Sequence, residues 1–193
     1  MKKLLLLVVT LTMTLMANAQ VSVQFGYLLN TLKTTLKDNN TDIGKFAGSY
    51  RGIMATVDYN IHITDYLGVA PGLGIDYSFN DMDGSKYREL GLIAPIDINY
   101  CIPISDALSV SFFAGPTFYY GLISKETGVN PHYDYYKEDN KRFDVSLGGG
   151  AWLDILEHIR VKFGYKFGLT NTSRIEGITE RNNLLSISVG YVF

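Results

Sequence analysis

The sequence has little cysteine, little net charge and, after its N-terminal segment, no long apolar run. Its one cysteine, Cys101, cannot form an internal disulfide, which excludes a framework of disulfide bonds. The net charge of −2 carries no basic excess, so the sequence predicts no nucleic-acid partner. The length of 193 residues suits one domain.

The first 19 residues have the pattern of an export signal. Lys2 and Lys3 precede an uncharged apolar stretch over residues 4–16, which is too short for an ordinary membrane-spanning helix. The small residues of Ala17-Asn18-Ala19 predict cleavage before Gln20. We therefore expect a signal peptide over residues 1–19 and an outer-membrane β-barrel domain over residues 20–193, with no cysteine at the junction to carry a lipid anchor.

Alternation of apolar with small or polar residues recurs along the rest of the chain and predicts β-strands. The 14 Tyr, 10 Phe and 19 Gly residues also favour β-structure over a helical bundle. The alternating segments lie near 21–29, 53–63, 67–79, 89–102, 108–120, 143–155, 159–169 and 185–193. Eight strands of this length predict an all-β fold, an eight-stranded antiparallel up-and-down transmembrane β-barrel.

The predicted connections alternate in length, as in outer-membrane barrels. Three are tight, around Thr64-Asp65, residues 104–107 and residues 156–158. Four are longer, at 31–48, 80–85, 123–141 and 171–183, and we expect all four to project outward from the cell. The first of them carries Lys33, Lys37 and Lys45 and is expected to be solvated and mobile.

A soluble barrel is the alternative. Side chains along each predicted strand form two rows, one apolar and one of small or polar residues, which point to opposite faces of the sheet. The composition of these rows distinguishes a soluble barrel from a membrane barrel. In a soluble barrel the non-apolar row would face water and be rich in Lys, Glu and Thr, whereas here it is rich in glycine, for example Gly68, Gly72 and Gly74. Small residues suit the narrow interior of an eight-stranded barrel. The apolar row carries almost no charge and has aromatic residues near both strand ends, as a lipid-facing surface requires.

Several stretches resemble one known family. They are the junction Ala17-Asn18-Ala19-Gln20, GLG at 72–74, ELGLIAPIDINY at 89–100, AGP at 114–116, GGG at 148–150 and LLSISVGYVF at 184–193. Over roughly the whole mature chain the sequence resembles the outer-membrane β-barrel domain family of Bacteroidota, often labelled porin-family or PorT-like. The resemblance implies an eight-stranded barrel but no shared activity. Tyr191 and Phe193 resemble the C-terminal insertion signal that the barrel-insertion machinery reads.

Charged residues occur in the predicted interior row, and two interpretations are open. Buried opposite charges must pair, so they can close a narrow lumen; alternatively they form an ion path or a proton relay. We favour pairing, because side chains fill an eight-stranded barrel. The candidate lumen charge network comprises Asp58, Asp76, Glu89, Asp97, Asp144, Asp154, Arg160, Lys162 and Lys166.

The longest predicted loop is the most suggestive outer feature. Its candidate contact residues are His132, Tyr133, Tyr135 and Tyr136, because tyrosines on a rigid scaffold can form a binding surface. The alternative, which we favour, is a solvated loop whose rings rest on the barrel rim or on lipopolysaccharide headgroups. Ser124, His132 and Asp134 share this loop, yet proximity in sequence is a poor guide to a catalytic triad. No histidine pair has metal-ligand spacing. We predict no enzyme activity, no cofactor and no metal.

Three functions remain open at this stage. The first is a structural or surface-interaction barrel with a filled lumen and exposed loops. The second is a small porin-like diffusion pore, and the third is an accessory component of a secretion system. The expected partners are outer-membrane lipid and lipopolysaccharide, the barrel-insertion machinery and an unidentified protein or host molecule.

Overall fold

A computed structural model describes residues 19–38, 41–82, 84–128 and 133–193. Residues 1–18 of the predicted signal peptide and His132 of the candidate outer loop lie outside these ranges. The described chain consists of strands and one helical turn. The strands are β1 (Ala19–Asp38), β2 (Thr41–His62), β3 (Leu67–Met82), β4 (Ser85–Ser105), β5 (Leu108–Thr127), β6 (Tyr133–Asp134), β7 (Phe143–Ile155), β8 (Ile159–Gly168) and β9 (Ile178–Val192), and the helical turn is α1 (Tyr135–Glu138).

Eight long strands form one closed antiparallel ring. Each pairs with the next along the chain, and β1 pairs with β9 to close the ring. The two-residue β6 adds to the end of β5, where Lys125 lies opposite Asp134. The prediction of an all-β, eight-stranded, up-and-down barrel is therefore confirmed.

Side chains alternate between the outside and the inside of the ring as the sequence predicts. On β3, Leu73 is 62% exposed, and Val57 beside it on β2 is also exposed. On β4, Asp97 faces inward and is 1% exposed. The outward-facing side chains between Tyr66 and Tyr100 at one end and Tyr77 and Phe118 at the other form an apolar band around the barrel.

The glycine row faces a crowded interior, which explains its composition. A Cβ added at Gly91 would overlap the Tyr119 ring, and one added at Gly72 would overlap the Asp58 carboxylate. Larger residues at these positions would displace the side chains that fill the lumen. Glycine is therefore found there because it leaves enough room for them.

The three tight connections are confirmed and lie together at one end of the barrel, the turn end. In the β2–β3 connection the Thr64 hydroxyl accepts a hydrogen bond from the Leu67 amide at 2.9 Å. In the β7–β8 connection Leu156 and Glu157 have φ angles of 52° and 63°. The other four connections lie at the opposite end, the loop end.

The longer connections are shorter than the sequence predicts, the first of them most of all. β1 and β2 remain paired through Thr31–Ser49 to Asp38–Thr41, so the predicted loop over 31–48 is wrong and forms a β-ribbon. Residues 123–127 belong to β5, and residues 178–183 belong to β9. Backbone pairing continues past the apolar band, where both faces of the strands meet water. The strands therefore continue beyond the point where the alternating apolar pattern of the sequence ends.

Candidate functional site

The barrel interior near the turn end holds a bidentate ion pair. Arg160 on β8 donates from Nε to Asp154 Oδ1 at 2.7 Å and from Nη2 to Oδ2 at 2.9 Å. The guanidinium also lies 4.5 Å from the centre of the Trp152 ring. Arg160 is only 2% exposed, and this pairing is what allows such a burial.

A second group of charges crosses the middle of the lumen. Asp97 on β4 meets two lysines of β8, with Oδ1 at 2.9 Å from Lys166 Nζ and Oδ2 at 3.1 Å from Lys162 Nζ. Lys162 Nζ also lies 3.5 Å from Asp58 Oδ2 and 4.5 Å from the centre of the Phe113 ring. These contacts join side chains from opposite walls and fill the cross-section.

Nearer the loop end, tyrosines surround a single carboxylate. Glu89 accepts hydrogen bonds from the hydroxyls of Tyr87 at 2.8 Å and Tyr119 at 3.0 Å. A third hydroxyl, that of Tyr136, donates to the same carboxylate. Tyr136 belongs to the outer connection between β5 and β7, so this loop is anchored inside the barrel mouth. Gly121 leaves the space that the Tyr136 ring occupies.

The remaining outer-half acids have neutral neighbours. Asp144 Oδ1 accepts a hydrogen bond from Thr170, and Asp76 Oδ2 lies 3.4 Å from the Ser78 hydroxyl. The other oxygen of Asp76 has no hydrogen-bond partner within the described residues. The nine predicted network residues therefore separate into two groups. In the first, Asp154 pairs with Arg160, and Asp58 and Asp97 pair with Lys162 and Lys166. In the second, Asp76, Glu89 and Asp144 form no ion pair in the described part of the chain.

The outer loop is fixed by hydrogen bonds beyond the apolar band. Asp134 caps α1 by accepting from the Tyr136 amide at 3.2 Å. Hydrogen bonds from Ser85 and Tyr135 to the Glu126 carboxylate lower the pKa of Glu126. The hydrogen bond from Tyr133 to Asp139 raises the pKa of Tyr133 to about 12. Within this loop the tyrosines are therefore ordered by neighbouring acids.

One predicted outer contact, Tyr136, needs correction, and Ser124 does not form a catalytic arrangement with Asp134. Tyr136 is buried and turned into the lumen, so it is not part of an outer contact surface. Ser124, considered for catalysis, is buried and donates to the Tyr87 hydroxyl at 3.2 Å, while Asp134 serves as the helix cap. Tyr133 and Tyr135 lie at the rim with their rings 4.9 Å apart.

Sequence reasoning missed the tyrosine cluster and the neutral partners of the charges. Tyr119 and Tyr87 occupy inward positions in the alternation, which was a usable signal. Thr117, which accepts from Lys166 at 2.5 Å, carried the same signal. Tyr136 carried none, because loop residues follow no period.

A cavity of about 280 Å³ opens at the loop end, between the loop and the barrel wall. Its lining includes Tyr50, Glu89, Glu126, Asp139 and Glu180. A smaller cavity of about 50 Å³ lies against it, deeper in the lumen, and includes Asp76. Both are lined by Tyr50, Glu89, Tyr119, Asp144 and Asn182.

The described residues offer no metal site and no spanning helix. No three His, Cys, Asp or Glu side chains among them are grouped closely enough to hold a metal ion. Nor does any described helix have the length and apolar character needed to cross a membrane. His158 instead stacks on Tyr191 with ring centres 5.3 Å apart.

Solved structures similar to this chain are outer-membrane barrels. The crystal structure of Ail, the attachment invasion locus protein of Yersinia pestis, in complex with the heparin analogue sucrose octasulfate matches with 13% identity and a TM-score of 0.46, covering 91% of this chain and 99% of that one. The N-terminal β-barrel domain of OprF from Pseudomonas aeruginosa matches with 12% identity and a TM-score of 0.45, covering 91% and 98%. Neisserial surface protein A matches with 12% identity and a TM-score of 0.44, covering 86% and 96%.

Comparison by sequence gives the family. No curated protein matches the chain. The family model described as outer membrane protein beta-barrel domain matches residues 4–193. With the closed antiparallel ring and its outward apolar band, this match leads to one conclusion: the chain belongs to the outer membrane protein β-barrel domain family and resides in the bacterial outer membrane.

Proposed function

We propose that this protein is a non-enzymatic surface-interaction barrel, whose closed body holds a projecting β-ribbon outside the cell. The ribbon is formed by residues 31–38 of β1 and 41–50 of β2. The observation that carries the proposal is the unpaired outer edge of this ribbon, because such an edge is a template for strand addition by another chain.

The ribbon leaves one edge free because β9, which pairs with β1, extends further towards the ribbon tip than the β3 pairing with β2 does. On the β1 side, β9 pairs up to Leu36 opposite Ile178. On the β2 side, pairing with β3 begins only at Arg51 opposite Phe79, so residues 41–50 have no strand beyond them among the described residues. Ile43 and Phe46 on this part of β2 are 65% and 63% exposed. Backbone groups and apolar side chains are thus presented together.

The partner we infer is a protein that offers an extended segment with alternating apolar residues. Main-chain hydrogen bonds to the β2 edge would supply affinity, and Ile43 and Phe46 would select the side chains. Outer-membrane lipid is the partner of the apolar band, and lipopolysaccharide is a further candidate near Lys33 and Lys37, which are exposed on the ribbon.

A peptide-binding measurement tests the ribbon. Refolded protein in detergent is titrated into fluorescent octapeptides of alternating apolar sequence, and binding is read by anisotropy. We expect a subset to bind, and the double variant Ile43→Lys, Phe46→Lys to bind at least about tenfold more weakly. The matched control is Ile175→Lys, an exposed apolar residue in the β8–β9 loop. Equal binding by both variants, or no binding by the wild type, would reject the ribbon as the contact.

Conductance in a planar bilayer distinguishes the closed body from the porin-like pore. We expect no stable single-channel current from the wild type, because Asp97, Lys162 and Lys166 cross the lumen. Lys162→Ala removes one of these side chains and should produce brief openings, whereas Lys141→Ala in the outer loop should not. A stable wild-type current would favour the pore.

The third function, an accessory role in a secretion system, rests on the resemblance to PorT-like proteins. Crosslinking and pulldown from native membranes test it, and a barrel recovered alone would count against it. The same experiment during assembly would show contact with the insertion machinery. Tyr191 and Phe193, the proposed insertion signal, are both exposed at the end of β9.

A further inference from the structure

Charges in the lumen are sorted along the barrel axis. The bases of β8 meet acids in the half of the barrel nearer the turn end, through Asp58, Asp97 and Asp154. The half nearer the loop end contains Asp76, Glu89 and Asp144, which form no ion pair with a described base. The nearby bases are used by backbone carbonyls: Arg142 donates to Gly121 and Leu122, and Lys141, which lines the outer cavity, donates to Asn171. The outer half therefore holds three acids that no described base neutralises.

A second, independent observation locates where a counter-charge is missing. Asp76 is 5% exposed, and its Oδ1 has no hydrogen-bond partner within the described residues. Its carboxylate lines the small inner cavity beside Glu89, Asp144 and Tyr119. Ser78 contacts only the other oxygen, Oδ2, at 3.4 Å. A buried carboxylate oxygen without a partner is costly, and a bound cation is one way to satisfy it.

The shape of the site favours an elongated cation over a metal ion. The described acids are not grouped tightly enough to ligate a metal. Instead they occur at two depths, with Glu126, Asp139 and Glu180 at the rim of the outer cavity and Asp76 at the inner one. The outer cavity, at about 280 Å³, is near the lower end of small-molecule sites. Tyr50 and Tyr119 line both cavities, and aromatic rings also attract ammonium groups.

We infer that the outer half of the lumen binds a linear aliphatic polyamine, with one ammonium group at Asp76 and Glu89 and another at the acidic rim. This ligand site is separate from the ribbon edge and does not depend on it. Two charges spaced along a flexible chain match acids at two depths, and the alkyl portion would lie against the tyrosine rings.

Isothermal titration of refolded protein with spermidine tests the site. We expect saturable binding that weakens with added salt, and about tenfold weaker binding by propylamine, which carries a single charge. Asp76→Asn should bind spermidine at least about tenfold more weakly while keeping the folded electrophoretic mobility, since it removes a buried charge that lacks a base. Asp106→Asn, the same change at an exposed turn, should bind as the wild type does.

Several results would overturn the inference. They are the absence of saturable spermidine binding by the wild type, wild-type affinity in Asp76→Asn, and an equal loss in Asp106→Asn. Propylamine binding as tight as spermidine binding would reject the two-point ligand. If Asp76→Asn does not fold, Asp144→Asn replaces it with the same expected loss.

Discussion

Asp97 is the residue on which the central charge group depends, because both its oxygens accept from lysines of the opposite wall. We expect Asp97→Asn to lower the free energy of unfolding by about 3 kcal/mol, since it leaves two buried ammonium groups short of a counter-charge. Urea unfolding in detergent micelles, followed by the fluorescence of Trp152, measures this. Asp65→Asn in an exposed turn is the control, expected within about 0.5 kcal/mol of the wild type. Equal stability of the two variants would contradict the pairing.

Gly121 acts at the same scale by leaving room for one ring. In Gly121→Ala the new Cβ would overlap the Tyr136 ring and release the loop from Glu89. Tryptic cleavage after Lys137 should then become about tenfold faster, because the free energy that opposes opening of the loop falls by about 1.4 kcal/mol. Gly48→Ala is the matched control, because a Cβ at Gly48 meets no atom within 4 Å. Unchanged cleavage in Gly121→Ala would show that Tyr136 does not hold the loop.

At the scale of elements, the outer loop should respond to acid. The pKa of Glu126 is lowered, so its hydrogen bonds with Ser85 and Tyr135 are present above the ordinary pKa of about 4.3 and are lost as the pH falls through the lowered value. We expect hydrogen exchange in residues 133–138, corrected for intrinsic rates, to increase below about pH 4. Glu126→Gln should lack this step, whereas Glu157→Gln at the turn end should keep it. A step of equal size in Glu126→Gln would assign it to another group.

How far sequence predicts an element depends on what surrounds that element. The alternation on β3 and β4 is sharp because lipid on one side and a tight lumen on the other impose opposite demands. The ribbon residues, such as Thr34 and Ser49, meet water on both faces, so nothing in their order distinguishes a strand from a loop. The alternation assigns the charged residues to the inward row, but their division into paired and unpaired acids depends on which walls face each other.

For the whole molecule, the fold predicts which end meets the outside. In a Cys101→Ser background, we expect Gly48→Cys to react on intact cells with a maleimide polymer too large to cross pores. Asp65→Cys, in the β2–β3 turn, should react only after the outer membrane is permeabilised. The reason is that the extended β1–β2 hairpin and the β5–β7 and β8–β9 connections lie at the loop end, whereas the three tight turns lie at the other. Reaction of Asp65→Cys on intact cells would invert the orientation.

The joining of β1 to β9 has a consequence for biogenesis. The ring is sealed between the earliest and the latest strands to emerge during synthesis, with Val23 opposite Tyr191 and Phe25 opposite Val189. In a nascent or truncated chain the sheet therefore has two unpaired strand edges, whose backbone amides find no hydrogen-bond acceptor in the hydrocarbon core of the membrane. Insertion of the barrel into the hydrocarbon core is therefore complete only when β1 and β9 have paired.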